Sequence, residues 1–359
     1  MKERIQIWSP EEYHYDGADK FIPFLMSSIH EDEKPHPAML VVPGGGYIQL
    51  STGEADGVAD KFFGLGYNTF VLVYTNNVTL DKPIGQQALL DISRAVRLIR
   101  KRHQKFHICP DQIAGIGFSA GGHLVASLAT LFDIPKLQSD EVYQDVSNQL
   151  DAAVLSYPLI THLNCTSLSC YQMMLGADVT EEEIKPYCLE QRVTDHSAPM
   201  YFLHGTADIG VPSQNVLLMA SACAEHNIPY ELKLLLGCPH GFAVADLEPE
   251  LVKSSYYLFE QLYDAVETMT DAELAGYADL FGELRKGMDY EEFAEIAQNV
   301  TMLKMWGTGL QTDLELLEKA EKEPGGNLSY GFRKNLSAAK WWLDVDQWIQ
   351  MLFREDENK

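Results

Sequence analysis

One short stretch limits what this chain can fold into more than any other: Ile113-Ala114-Gly115-Ile116-Gly117-Phe118-Ser119-Ala120-Gly121-Gly122-His123-Leu124. An apolar run ends at Gly117-Phe118-Ser119-Ala120-Gly121 and passes at once into an Ala-, Leu- and Val-rich helical pattern. That succession reads as a strand, a sharp turn and a helix, the arrangement of a nucleophile elbow. A serine at the tip of so tight a turn takes a strained backbone conformation. Small residues two places before and after it let strand and helix pack closely. Its hydroxyl then stands clear of the sheet, with the free N–H groups of a helix N-terminus behind it. Gly-x-Ser-x-Gly alone is short enough to arise by chance, so the reading depends on what the rest of the chain supplies.

The flanking pattern supplies a sheet. Ala38-Met39-Leu40-Val41-Val42, residues 68–74, Ala152-Ala153-Val154-Leu155-Ser156, residues 199–203 and residues 230–235 read as further strands, each apolar throughout. Helical patterns lie between them, at 53–63, at 86–106 with Ala88, Leu89, Ile92, Val96 and Ile99 inward, and at 213–227. Strands alternating with helices imply an α/β fold with a mostly parallel central sheet covered on both faces. A leading antiparallel hairpin is expected over residues 5–25, turning near Tyr15-Asp16-Gly17-Ala18-Asp19.

Two segments depart from the alternation. Residues 159–198 show little strand character, and Thr180-Glu181-Glu182-Glu183 reads as a capping box opening a short helix, so this segment is expected to be lid-like. From residue 248 no strands appear; Thr270-Asp271-Ala272-Glu273 is a second capping box and Asp289-Tyr290-Glu291-Glu292 a similar helix start. Pro324-Gly325-Gly326-Asn327 breaks that run, and a last helix with Trp341, Trp342 and Trp348 follows, its aromatic stripe expected to pack in the core.

The formal charge of −25 over 359 residues, from 27 basic and 52 acidic side chains, argues against nucleic acid and membrane as partners, since their phosphates would be repelled. No secretory h-region and no membrane-spanning apolar stretch is seen in the sequence, which gives a cytoplasmic expectation. The six cysteines, Cys109, Cys165, Cys170, Cys188, Cys223 and Cys238, lack zinc-type spacing and read as thiols, so neither a metal nor a cofactor is expected.

A hydrolytic serine needs a base, an acid to orient that base, and donors for an oxyanion. Asp208 stands just beyond one strand in Leu203-His204-Gly205-Thr206-Ala207-Asp208, and His240 beyond the next in Gly237-Cys238-Pro239-His240-Gly241. A lone Asp208 would be a helix cap and a lone His240 a surface residue. Together with Ser119 they fall at three strand ends in the order Ser, Asp, His that hydrolases on such a sheet use. Pro43-Gly44-Gly45-Gly46-Tyr47, ending a fourth strand, offers the N–H groups of Gly45, Gly46 and Tyr47, to which the Ala120 N–H adds one. Asp195 and Asp246 are reserve acids. His204 reads as a strand-end histidine bonded to backbone, His123 as packing, and His103 and His107 as sharing one helix face. Cys238, close to the base, has only a weak claim to a redox role.

With these residues in hand the chain resembles the α/β-hydrolase superfamily, and more narrowly the bacterial acetyl xylan esterase and feruloyl esterase-like carbohydrate esterases. The narrower likeness rests on residues 38–47, on Gly117 to Leu124, on His204-Gly205-Thr206-Ala207-Asp208 with Val211-Pro212, and on Pro239-His240-Gly241. Pro43 stands where hormone-sensitive-type lipases carry histidine. The resemblance implies an α/β-hydrolase core at 1–245, a helical insertion at 246–335, and a final helix at 336–359 returning to the core. It implies a small-molecule or oligosaccharide ester as substrate and leaves a homo-oligomer open. Two other readings stand beside it: a prolyl-oligopeptidase-like peptidase, whose large N-terminal domain has no counterpart in this sequence, and a non-enzymatic hydrolase-like protein that binds a partner.

Overall fold

The structure, a computed structural model, describes residues 2–17, 20–32, 34–140, 142–162, 168–244, 249–277, 282–305 and 340–356. Its centre is an eight-stranded sheet: β1 Lys2–Gln6, β2 Phe24–Ser28, β3 His36–Val42, β4 Asn68–Val73, β5 Ile108–Phe118, β6 Ala152–Ser156, β7 Met200–Gly205 and β8 Tyr230–Leu235. The spatial order is β1-β2-β4-β3-β5-β6-β7-β8. β2 pairs antiparallel with both β1 and β4, and the pairings from β4 through β3 to β8 are parallel. This is the α/β-hydrolase fold.

Helices cover the sheet: α1 Asp56–Gly64, α2 Gln87–Lys101, α3 Ala120–Leu131, the short α4 Pro135–Gln138, α5 Ser169–Leu175, α6 Glu181–Ile184 and α7 Gln214–Glu225. After them come α8 Pro249–Ser254, α9 Glu260–Thr268, α10 Asp271–Gly276, α11 Tyr290–Met305 and α12 Trp341–Asp356. The apolar stripe expected of α2 is buried. All twelve residues of α3 are buried, as its near-continuous apolar sequence requires. Both capping boxes form, Thr180 with Glu183 and Thr270 with Glu273, and the Asp289 carboxylate caps the start of α11.

Three local expectations are corrected. β1 and β2 do pair antiparallel, but a long connection joins them instead of a tight turn, and it is held to the core where Tyr13 bonds Thr75. β8 is not apolar throughout: it is the sheet's edge strand, and Tyr230, Glu231 and Leu234 face solvent. α2 stops at Lys101, so His103 and His107 lie in the turns beyond it and share no helix face; His103 bonds the Arg100 carbonyl.

α12 joins the main core. Trp341 packs edge-on to Phe118 beneath the elbow, with ring centroids 5.9 Å apart, and Trp348 packs against Tyr201 of β7. The helices from 260 to 305 build a second apolar cluster around Phe259, Leu262, Val266, Met288 and Phe293. Polar contacts dock that cluster on the core: Gln261 with the Asn76 backbone, Asp264 with the Lys20 and Phe21 N–H groups, and Tyr257 with Asp56. Among the described residues no helix is long and apolar enough to cross a membrane. Residues 324–327, where the sequence breaks, lie outside the described residues.

Candidate active site

Parallel register brings the strand ends to one edge. Val42 lies opposite Gly117, Phe118 opposite Ser156, Ser156 opposite Leu203 and Gly205 opposite Leu235. The loops that follow β3, β5, β6, β7 and β8 therefore open side by side, and each candidate residue sits in one of them.

Ser119 has φ 53° and ψ −117°, a conformation few L-residues adopt. The flanking glycines make it reachable. A Cβ on Gly117 would fall 2.2 Å from the Gly121 carbonyl oxygen, and one on Gly121 would fall 2.2 Å from the Val42 carbonyl oxygen. The serine's own N–H donates to the Ser156 carbonyl, which ties the tip to the next strand.

His240 reaches Ser119 from the β8 end. Its Nε2 lies 2.9 Å from Ser119 Oγ and its Nδ1 lies 2.6 Å from Asp208 Oδ2. The neutral ring that donates Nδ1–H to the carboxylate is left with Nε2 to accept the serine proton. The two loops that carry Asp208 and His240 are bonded to each other: Ala207 N–H donates to the Cys238 carbonyl, and Gly237 N–H to Thr206 Oγ1.

Asp208 is buried, and its other oxygen accepts the Val211 N–H at 2.8 Å. His204, fully buried, points Nε2 at the Val211 carbonyl at 2.8 Å and at Asp208 Oδ2 at 3.3 Å. The strand-end histidine thus bonds backbone as expected, and it also braces the acid. Burial would raise the Asp208 carboxyl, but the facing charge of His240 and the hydrogen bonds from His204 and His240 outweigh it and hold Asp208 well below the usual carboxylate range. Burial pulls His240 down, while the Asp208 charge and hydrogen bond, with Glu54 adding to them, lift it above its ordinary value.

The glycine loop after β3 lies against the elbow. A Cβ on Gly44 would fall 3.0 Å from the Ser119 Cβ. Gly45, Gly46 and Tyr47 all take positive φ, at 129°, 68° and 60°, and a Cβ on Gly45 would run into the Gln49 carbonyl. Three of the loop's carbonyls are occupied: Gly44 accepts from Ser51, Gly45 from Ile48 and Gln49, and Tyr47 from Asn77. The Gly45 and Gly46 N–H groups make no hydrogen bond to another described residue. Ala120 opens α3, where no earlier turn supplies its N–H with an acceptor.

The Tyr47 side chain is fixed by His123. The hydroxyl lies 2.8 Å from His123 Nδ1, while Nε2 faces the Tyr187 carbonyl at 3.3 Å, so Nε2 carries the proton and Tyr47 donates. Burial pushes His123 down to about 4, which keeps it neutral across the physiological range. His123 therefore does more than pack. It joins the glycine loop, the elbow helix and the 159–198 segment.

Asp195 is exposed beside His196 and makes no contact with this cluster; Asp246 lies outside the described residues. The described cysteines, Cys238 included, are in no disulfide. Among the described residues no group of three or more His, Cys, Asp or Glu side chains could hold a metal.

Sequence reasoning missed two neighbours. Glu54, on the turn Thr52–Glu54, is buried with Oε2 2.8 Å from the Gly44 N and Oε1 2.7 Å from the Tyr157 hydroxyl. Tyr157, just past β6, packs its ring edge-on against the His240 imidazole with centroids 4.8 Å apart. The position of Tyr157 at a strand end was a usable signal. Glu54 offered none, since it reads as the start of a surface helix.

Fold and strand-end loops define the class: this is an α/β-hydrolase with a serine, a histidine and an aspartate in hydrogen-bonded sequence at the elbow. A family model described as BD-FAE matches residues 27–222, more than half of the chain, and the protein belongs to that family. It is 39% identical over 245 residues, 68% of this chain, to the endo-1,4-beta-xylanase B of Butyrivibrio fibrisolvens, and 32% identical over 121 residues, 32% of this chain, to the acetylxylan esterase of Xylanibacter ruminicola. The aligned parts are 38% and 22% of those relatives' own lengths. The crystal structure of an acetyl ester-xyloside bifunctional hydrolase from Caldicellulosiruptor lactoaceticus is similar with TM-score 0.63 at 29% identity, covering 72% of this chain and 96% of that one. The carboxylesterase Cest-2923 of Lactobacillus plantarum, at TM-score 0.58 and 23% identity over 69% of this chain and 89% of its own, shares the fold.

Proposed function

We propose that this protein is a serine esterase that removes small acyl groups, acetyl foremost, from carbohydrates or other small alcohols. The observation that carries the reading is the chain of hydrogen bonds from Ser119 Oγ through His240 to Asp208, beside the N–H groups of Gly45 and Gly46, which bond no other described residue. In this reaction Ser119 Oγ attacks the ester carbonyl carbon and His240 Nε2 takes its proton. The negative oxygen that forms is met by the N–H groups of Ala120, Gly45 and Gly46, with Tyr47 ending the same loop. His240 then passes the proton to the departing alcohol, leaving an acyl group on Ser119. Water, deprotonated by the same imidazole, attacks that acyl group and frees the carboxylic acid. Asp208 fixes the tautomer and faces the imidazolium throughout.

The acetyl and carbohydrate part of the proposal is supported by relatives named for acetylxylan and for acetyl ester and xyloside hydrolysis. The same reading takes 246–335 as an insertion in a hydrolase core, because α12 returns to the main core while the helices from 260 to 305 build their own cluster. A panel of acetylated xylosides, aryl acetates and feruloyl esters compared by kcat/KM tests the substrate class. Acetylated xylosides are expected to lead the bulky feruloyl esters; a preference for feruloyl esters would overturn the small-acyl assignment.

The pH profile follows from the direction in which His240 is shifted. Only the neutral imidazole accepts the serine proton, so kcat/KM must fall on the acid side as His240 protonates. Because His240 is raised, that fall is expected above the ordinary histidine value of 6.5, with full activity reached only on the alkaline side. A limb below 6.5 would contradict the upward shift, and a flat profile between about pH 5 and 8, where histidine titrates, would contradict the role of His240.

A further inference from the structure

We propose that Glu54 is a positioning residue of this esterase, a buried carboxylate that fixes the oxyanion loop and the face of the catalytic imidazole against each other. The inference rests on the esterase reading and extends it to a group outside the triad.

The geometry is that of a clamp. One oxygen holds Gly44, immediately before the two glycines whose N–H groups bond no other described residue; the other holds the hydroxyl of Tyr157, whose ring packs edge-on against His240. The loop and the imidazole are otherwise carried by different strands, β3 and β8, at opposite sides of the elbow. Through Glu54 a displacement of either is felt by the other. Positive φ at Gly45, Gly46 and Tyr47 gives the loop a shape that its sequence alone would not keep, so an anchor at Gly44 has a defined task.

The turn that carries Glu54 is itself held from outside the hydrolase sheet. Thr52 Oγ1 donates to Gln298 Oε1 of α11 at 2.6 Å, and the Asp56 N–H donates to Ser255 Oγ just after α8. Burial raises the Glu54 carboxyl, while the Tyr157 hydroxyl and the Gly44 N–H favour its ionised form. The Gly44 N–H on one oxygen and the Tyr157 hydroxyl on the other suit a carboxylate, and the facing His240 favours its charge as well. That charge also faces His240. The groups bearing on the imidazole are then Asp208 from the β7 loop, Glu54 from the turn after β3, Tyr157 from the end of β6 and Ser119 from the elbow, with His204 acting through Asp208.

Glu54→Gln and Tyr157→Phe, assayed on p-nitrophenyl acetate beside the parent enzyme, test the proposal. Glutamine keeps the shape but sets an amide N–H₂ against one of the two donors and removes the charge. Its kcat is expected to fall by about ten- to a hundredfold, the scale of a small misplacement of catalytic groups, with KM held within about twofold. The acid limb of kcat/KM is expected to move to lower pH, because one of the charges that lifts His240 is gone. Tyr157→Phe keeps that charge, so its kcat falls while the limb stays in place. Parental kcat and an unmoved limb in Glu54→Gln would overturn the proposal, as would a loss that merely follows the folded fraction measured by circular dichroism. Should Glu54→Gln fail to fold, parental kcat in Tyr157→Phe is the overturning result. These failures leave an active parent enzyme; a parent that cleaves no ester and whose Ser119 resists a fluorophosphonate would instead sink the esterase reading itself.

Discussion

Ser119→Ala is expected to lower kcat on acetyl esters by about 10⁶-fold, the scale seen when a triad nucleophile is deleted, and to abolish labelling by a fluorophosphonate probe. The residue left behind can form no acyl-enzyme, so what is expected to survive is the small rate given by binding and by the proposed oxyanion donors. The fold should be untouched, because Ser119 is held by its backbone: its N–H bonds the Ser156 carbonyl and its carbonyl accepts from His123 and Leu159. Alanine even fits the tip of the turn no worse than serine does, as both carry a Cβ at the same positive φ. An unchanged thermal melt with activity gone is the expected pair of results. Retained turnover would show that some other residue carries the chemistry.

Asp208→Asn is expected to cost about 10⁴-fold in kcat near neutral pH while leaving substrate binding nearly intact. The reason is specific to what surrounds the carboxylate. Its Oδ1 accepts Val211 N–H, and its Oδ2 faces both the His240 Nδ1 and the His204 Nε2. Three donors therefore converge on two oxygens, which a carboxylate can accept and an amide cannot. The amide N–H₂ must turn toward one of them. Turned toward His240, it favours the tautomer with the proton on Nε2, which has no lone pair for the Ser119 proton. The acid limb of kcat/KM should also drop, since the largest charge lifting His240 is removed. Kinetics across pH on the purified variant check both points, and an asparagine variant with parental kcat at pH 7 would remove Asp208 from the mechanism.

Much of the fold was legible because burial on both faces leaves a plain mark. Ala38 to Val42 and Ala152 to Leu155 are wholly buried strands and read as continuous apolar runs. β8 misled for the converse reason. Tyr230-Glu231-Leu232-Lys233-Leu234-Leu235 has the residue types of a strand, but only the strand order places it at the edge, where its side chains meet water. The first hairpin erred in a related way. Residues 7–23 carry turn residues, yet Tyr13 and Tyr15 are anchored to the 75–82 loop, a contact no local pattern encodes.

The site divides along the same line. The Gly-x-Ser-x-Gly turn, the triple glycine and the loops holding Asp208 and His240 announce themselves locally, because each must take a conformation or a strand-end position that few residue types allow. Their order along the chain then names the chemistry they suit. Local residue pattern thus accounts for the sheet, the elbow and the identity of the residues able to meet there. Their company comes from the folded chain alone: His204 braces Asp208, His123 locks Tyr47, and Glu54 lies between the glycine loop and Tyr157. These partners act through burial and long-range contact, which no local pattern encodes. A glutamate on a short turn becomes a buried carboxylate only when strands and helices from elsewhere in the chain close over it.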